Sequence, residues 1–199
     1  MDRLGYTAMT AASRTMSSLT VRANNLANVN TPGFRADMEQ AQAVAVEGYG
    51  YDSRHLVRVK NNGVNLAPGE LMATGRDLDV AIQGRGLFTV EGDGGAERYT
   101  RNGALQVDAE LRLTLNGRAV LGEGGPIVLP EYDSLHIGRD GTVSVIPRGD
   151  FVTAEVDRIR VVDVDAADLT KDASGLLART DGQPAEDMET PVLVSGYLE

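Results

Sequence analysis

The residues able to do chemistry are few and poorly grouped. The two histidines, His55 and His136, stand far apart and lack the HExxH spacing that would aim two imidazoles at one zinc ion. Gly84-Arg85-Gly86 opens like a dinucleotide-binding fingerprint, but Thr89 stands where the third glycine is needed and the surrounding text is β. Gly122 to Gly125 is not followed by the Lys-Ser/Thr that a phosphate loop requires. Asp163, Asp165 and Asp168 present oxygen ligands at a calcium-like spacing, yet an EF-hand loop wants glycine at 168 and glutamate at 174, where this chain has Asp and Ser. No serine sits in a GxSxG elbow. Two converging carboxylates, as in a glycosidase, are the one catalytic alternative an acidic chain leaves open, and its few aromatics offer little to stack a sugar. The sequence therefore reads as no enzyme, with no cofactor and no metal: the histidines as ordinary strand or loop residues, the three aspartates as a solvated strand end.

Composition narrows the partners. The formal charge is −10 and no lysine- or arginine-rich block occurs, so nucleic acid, which needs a basic surface to neutralise phosphate, is not expected as a partner. The same surplus argues against adsorption to anionic lipid, and no apolar run approaches the length of a membrane span, so direct membrane insertion is not expected either. There is no cysteine, which removes disulfide and thiolate chemistry together. The N-terminus lacks the basic-then-apolar pattern of a secretory signal. If the chain leaves the cytoplasm, it uses another route. The 199 residues, with tryptophan absent and aromatics at 5%, predict one good-sized core built on Val, Leu, Ile and Ala.

The elements that must carry these residues fall into two textures. Residues 3 to 28 contain no proline and read as helix, with Met9, Ala12, Met16, Leu19, Ala23 and Leu26 spaced as an a/d seam over barely three heptads. A lone helix with such a seam is marginal in water and needs a partner. Its other faces are rich in Ser and Thr rather than Glu/Lys pairs, which suits close packing on several sides better than solvation. Thr31-Pro32-Gly33-Phe34 ends it in a type II turn. Residues 35–75 are expected to be an extended arm or linker, with a short helix possible from Ala36. From 76 to 199 short alternating strands follow one another, punctuated by Asp93-Gly94-Gly95, Asn116-Gly117 and Asp140-Gly141. The predicted fold class is mainly β: an N-terminal coiled-coil-like helix and turn (1–34), then an antiparallel all-β domain (76–199).

Asn24-Asn25-Leu26-Ala27-Asn28-Val29-Asn30-Thr31-Pro32-Gly33-Phe34 resembles the N-terminal signature of the flagellar rod, hook and hook-associated proteins. Thr74 to Gly84 and Tyr99-Thr100-Arg101-Asn102-Gly103 are similar to further blocks of that family, and the opening residues look most like its proximal-rod branch. The distal-rod and hook-type branches are the alternatives; a monomeric β-sandwich binding module is the competing class. The resemblance implies a structural subunit in the periplasmic part of the basal body, exported by the flagellar type III apparatus without a cleaved signal and assembling with other rod subunits. It also implies a C-terminal helix that pairs with the N-terminal one and is expected to be absent from this chain. The family has glycine where Leu111 stands, so the hairpin after Asp108-Ala109-Glu110 is expected to be longer or differently shaped.

Overall fold

The computed structural model describes residues 2–45, 55–172 and 174–199. Its contacts divide the chain into two units, Met1–Asn30 with Arg35–Asn65, and Thr31–Phe34 with Leu66–Glu199.

The first unit is one helix, α1 (Asp2–Ala27), and an antiparallel hairpin of β1 (Asp37–Ala45) and β2 (His55–Val64). The many threonines do not disrupt α1 because the Thr10, Thr15 and Thr20 hydroxyls donate to the carbonyl oxygens four residues back, at 2.8, 3.0 and 3.0 Å. These hydroxyls lie on three sides of the helix, so each side can be covered without leaving a polar group unpaired. The helix runs against the hairpin. Thr7, Thr10, Ser18, Val21, Asn25 and Asn28 are its partly buried positions and follow one face at helical spacing. Where residues 35–75 read as an extended arm, the structure instead pairs Asp37–Ala45 with His55–Val64. A free strand would leave a row of backbone donors and acceptors unmatched, and the ladder satisfies them. The part of that expectation covering residues 46–54 lies outside the described residues.

The second unit opens with β3 (Met72–Ala73), which falls in the stretch read as an arm, and continues with the expected antiparallel strands: β4 (Val80–Ile82), β5 (Leu87–Glu91), β6 (Glu97–Thr100), β7 (Leu105–Val107), β8 (Leu113–Leu115), β9 (Arg118–Ala119), β10 (Leu121–Gly122), β11 (Gly125–Pro126), β12 (Tyr132–Ile137), β13 (Thr142–Pro147), β14 (Ala154–Arg158), β15 (Val161–Val162), β16 (Leu169–Lys171), β17 (Leu177–Arg179), β18 (Leu193–Ser195) and β19 (Tyr197–Leu198). The largest sheet runs β15-β5-β6-β17-β16, and β12-β13-β14 forms a meander. Single bridges, Val90 to Val120 and Gly122 to Ile159, stitch neighbouring ladders together. Phe88, Val90, Leu105, Leu113, Val120 and Val143 are fully buried in one continuous core. Apart from Phe88 and Tyr99 the large core residues are Val, Leu and Ile, as the composition predicts.

Turn chemistry fixes the registers. Asn116 and Gly117 both take positive φ, 51° and 76°, between β8 and β9, the geometry an Asn-Gly hairpin requires. Leu111 also sits at positive φ, 61°. The hairpin is shaped around a leucine in the left-handed region that favours glycine, at a cost of about 1–2 kcal/mol. Two features hold it there. The Asp108 carboxylate accepts the amide protons of Glu110 and Arg112, at 3.0 and 2.8 Å, and the Leu111 side chain packs against the core.

The same device recurs and gives the acidic composition a local purpose. Asp140 accepts from the hydroxyl and amide of Thr142, Asp172 from Ser174 and Leu176, and Asp181 from the Gln183 amide and Arg179. For Asp140 the Thr142 hydroxyl, and for Asp181 the Gln183 amide, hold the carboxyl below its ordinary value. At Asp108 and Asp172 desolvation pushes upward and is outweighed, by Arg112 in the first case and by Ser174, Leu176 and Arg98 in the second. A depressed folded pKa gives stability that is full above the unfolded value, about 3.9, and lost as pH falls through the folded one. Asp172→Asn should therefore be less stable than wild type at neutral pH, with the gap closing as pH falls below about 4 in urea titrations. A gap unchanged between neutral and acid pH would contradict the charge-dependent role.

Candidate functional site

The segments that the sequence singles out converge in the second unit on one buried arginine. Arg101 follows β6 and is 3% exposed. Its Nη1 donates to the Gly86 carbonyl oxygen at 2.5 Å, and its Nη2 to those of Ile82 and Gly84 at 2.7 and 2.6 Å. Its Nε and Nη2 both lie 2.7 Å from Glu199 Oε2. Gly84-Arg85-Gly86 is thus a turn that aims carbonyl oxygens inward at a guanidinium. A lysine, a point charge on a flexible stem, could not span these acceptors.

Glu199 extends the junction. Its Oε1 accepts the Gly69 amide proton at 2.6 Å, and its carbonyl oxygen accepts that of Gly33 at 2.8 Å. Gly33 sits at φ 71° as the third residue of the Thr31–Phe34 turn, closed by the Phe34 amide donating to the Thr31 carbonyl at 3.1 Å. A Cβ on Gly33 would stand 2.0 Å from the Asn102 amide nitrogen, so glycine is required both for conformation and for approach. Pro32 supplies the fixed φ at the preceding turn position, and the Phe34 ring carries Lys171 Nζ 4.5 Å from its centroid.

Each residue around Arg101 has a visible task. The Tyr99 hydroxyl donates to Glu97 Oε2 and accepts the Ala185 amide proton, and burial pushes its pKa up. Thr100 Oγ1 accepts from the Asn102 amide, while Asn102 Oδ1 accepts from that of Ala104. The Gly103 carbonyl accepts from Val80, and a Cβ there would stand 1.6 Å from the Val80 oxygen. In the second block, Gly196 links both sides: its carbonyl accepts from Thr74 and Gly75, and its amide donates to Asp79. The β4–β18 and β3–β19 pairings complete the seat.

The N-terminal part of the signature lies in the first unit. Asn25 acts as a substitute strand, its amide donating to the Asp37 carbonyl at 3.0 Å and its oxygen accepting the Asp37 amide proton at 3.1 Å. The Asn28 side chain and backbone both donate to the Asn24 carbonyl, closing the helix after Ala27. The seam residues Met9, Ala12, Met16, Leu19, Ala23 and Leu26 share one stripe, opposite the face that meets the hairpin, and all are exposed. Met9 is 64%, Met16 70%, Leu19 59% and Leu26 73% accessible.

Among the described residues, no group of three or more acids or histidines is placed to hold a metal ion. His136 lies on β12, and the His55 side chain is outside the described residues. Arg85 Nη2 stands 3.2 Å from both Asp163 and Asp165, so these acids hold a cation of the chain's own. The role of Arg101 was invisible in sequence, because one arginine in an acidic β domain gives no pattern.

Removing one partner of a buried pair leaves an uncompensated charge, which costs about 3–5 kcal/mol. Arg101→Met should lower unfolding free energy by roughly that amount in chemical denaturation, and Arg101→Lys, which keeps the charge but leaves carbonyl oxygens without a donor, by a smaller amount. A lysine variant as stable as wild type would refute the need for a planar fork.

Comparison with known proteins agrees with this layout. Residues 6–35 match the family model described as flagella basal body rod protein, and residues 81–145 that of the flagellar hook protein FlgE/F/G D1 domain. The chain is 43% identical to the flagellar basal-body rod protein FlgF of Salmonella typhimurium over 94% of its own length and 75% of that relative. To FlgF of Escherichia coli it is 40% identical, over 100% of the chain and 82% of the relative. Its likeness to the paralogous FlgG of Bacillus subtilis is lower, at 32%. The chain belongs to the FlgF family of flagellar basal-body rod proteins and is a structural subunit of that rod.

Proposed function

We propose that α1 is the element through which this subunit assembles, its seam buried against helices of neighbouring subunits or against the C-terminal helix that the family resemblance implies. The observation that carries this is the open apolar stripe. Met9, Met16, Leu19 and Leu26 remain exposed although the opposite face of α1 already has a partner in the hairpin. A stripe of that size facing water is a contact site awaiting cover. The self-satisfied threonines support packing on further sides, since covering them strands no hydroxyl.

In this reading residues 1–34 serve assembly, while the β unit, locked by Arg101 and Glu199, faces outward. Head-to-tail contacts of this kind build helical stacks rather than closed rings. Such a stack transmits torque and leaves a central channel. The role is mechanical and involves no catalysis. The subunit occupies the proximal rod in the periplasm and reaches it through the flagellar export apparatus without a cleaved signal.

Burying a leucine contributes about 1.5–3 kcal/mol, so a charge in the seam should defeat assembly without harming the subunit. Leu19→Asp should give soluble protein with the melting temperature of wild type, while cells carrying it show unfinished rods in electron micrographs and do not swim. A large fall in melting temperature would mean that the seam packs within its own chain. Normal rods would mean that it is not an assembly contact.

A further inference from the structure

We propose that the tip of the β13–β14 hairpin, Phe151 and Val152, docks on the β1–β2 ribbon of a second copy of this chain, a contact that rests on the rod-subunit reading. Phe151 is 96% exposed and Val152 69%, and neither belongs to the core. The tip is held out by hydrogen bonds. The Phe151 amide donates to Asp150 Oδ1 at 2.7 Å, the Asp150 amide to the Pro147 carbonyl at 3.0 Å, and the Gly149 amide to Asp133 Oδ2 at 3.3 Å. Its base is acidic, with Glu131, Asp133, Asp150 and Glu155 exposed against Arg148. An apolar knob with an acidic rim fits an apolar surface with basic neighbours.

The ribbon has that character. Met38 and Val44 on β1 are 45% and 38% exposed. The register pairs Gln40 with Lys60 and Gln42 with Arg58, so the ribbon's sequence carries bases where the tip's carries acids. The charge of the whole chain is divided the same way. The unit that bears the tip has twenty-four acids against twelve bases, and the unit that bears the ribbon has seven bases against five acids, together the chain's −10. Contact between two β units would oppose like charge, whereas tip on ribbon joins opposite charge. Because donor and acceptor surfaces differ, the contact is head-to-tail and propagates.

The chain has no cysteine, so introduced ones report cleanly. Phe151→Cys and Val44→Cys copies, carrying different tags, would be expressed together in flagellated cells lacking the native protein. Isolated basal bodies would then be treated with a short bismaleimide. The expected product is a dimer of the two different variants, severalfold more abundant than either like-with-like dimer. Basal bodies that contain both variants without that product, a dominant Phe151→Cys pair, or linkage to a different rod subunit would each overturn the proposal. So would an intrachain link formed by the doubly substituted protein in dilute solution. Phe151→Asp should leave the melting temperature unchanged and reduce swimming; normal swimming would count against the contact. Wild-type protein missing from basal bodies on an immunoblot would overturn the rod reading itself, a result distinct from missing crosslinks.

Discussion

The β unit depends on one guanidinium. Arg101 gathers three carbonyl oxygens of the 82–86 turn and the Glu199 carboxylate, and through Glu199 it reaches Gly33 and Gly69. Residues more than 60 positions apart in sequence are thereby tied at one buried point. With side chains 3% and 4% exposed, both charges are cut off from water, and neither is tolerable without the other. An apolar replacement could fill the space but could not satisfy the inward carbonyls of the turn. The arrangement fixes where the Thr31–Phe34 turn and the Ser195–Glu199 segment meet.

Much of the fold was legible because local chemistry dictated it. Asn116-Gly117 could form only a tight hairpin, Pro32-Gly33 a type II turn, and the residue 9 to 26 spacing a helix stripe. Three things were not legible. The β1–β2 hairpin escaped because its value lies in pairing, and a run such as Leu56 to Lys60 alternates too briefly to declare a strand without knowing its partner. Leu111 escaped because a leucine in left-handed conformation contradicts its local preference; Asp108 and core packing override it. Arg101 stood in a recognised block, but its role escaped because three of its acceptors are backbone carbonyls and the fourth lies 98 residues away, which no sequence pattern displays. The signature segments were recognised as blocks, and geometry then supplied the reasons: Gly33 and Gly103 by close approach, Asn25 by mimicking a strand.

Acidity, which said little in the sequence beyond excluding partners, acquires two meanings in the structure. Individually, Asp108, Asp140, Asp172 and Asp181 cap turns by accepting amide protons, a use of charge that stiffens a domain rich in short strands. Collectively, the surplus lies in the β unit and leaves the helix–hairpin unit slightly basic. The first effect concerns stability of the monomer. The second concerns which surfaces of neighbouring subunits can approach, and it favours unlike surfaces meeting. In the proposed assembly the exposed seam of α1 adds the apolar drive that charge alone does not provide.

The most direct measurement is a high-resolution electron cryomicroscopy map of basal bodies that contain this chain. The account predicts that Met9, Met16, Leu19 and Leu26 are covered by neighbouring helices, while Arg101 still holds the 82–86 turn. A map in which this chain occupies the rod with that stripe still facing solvent would contradict it.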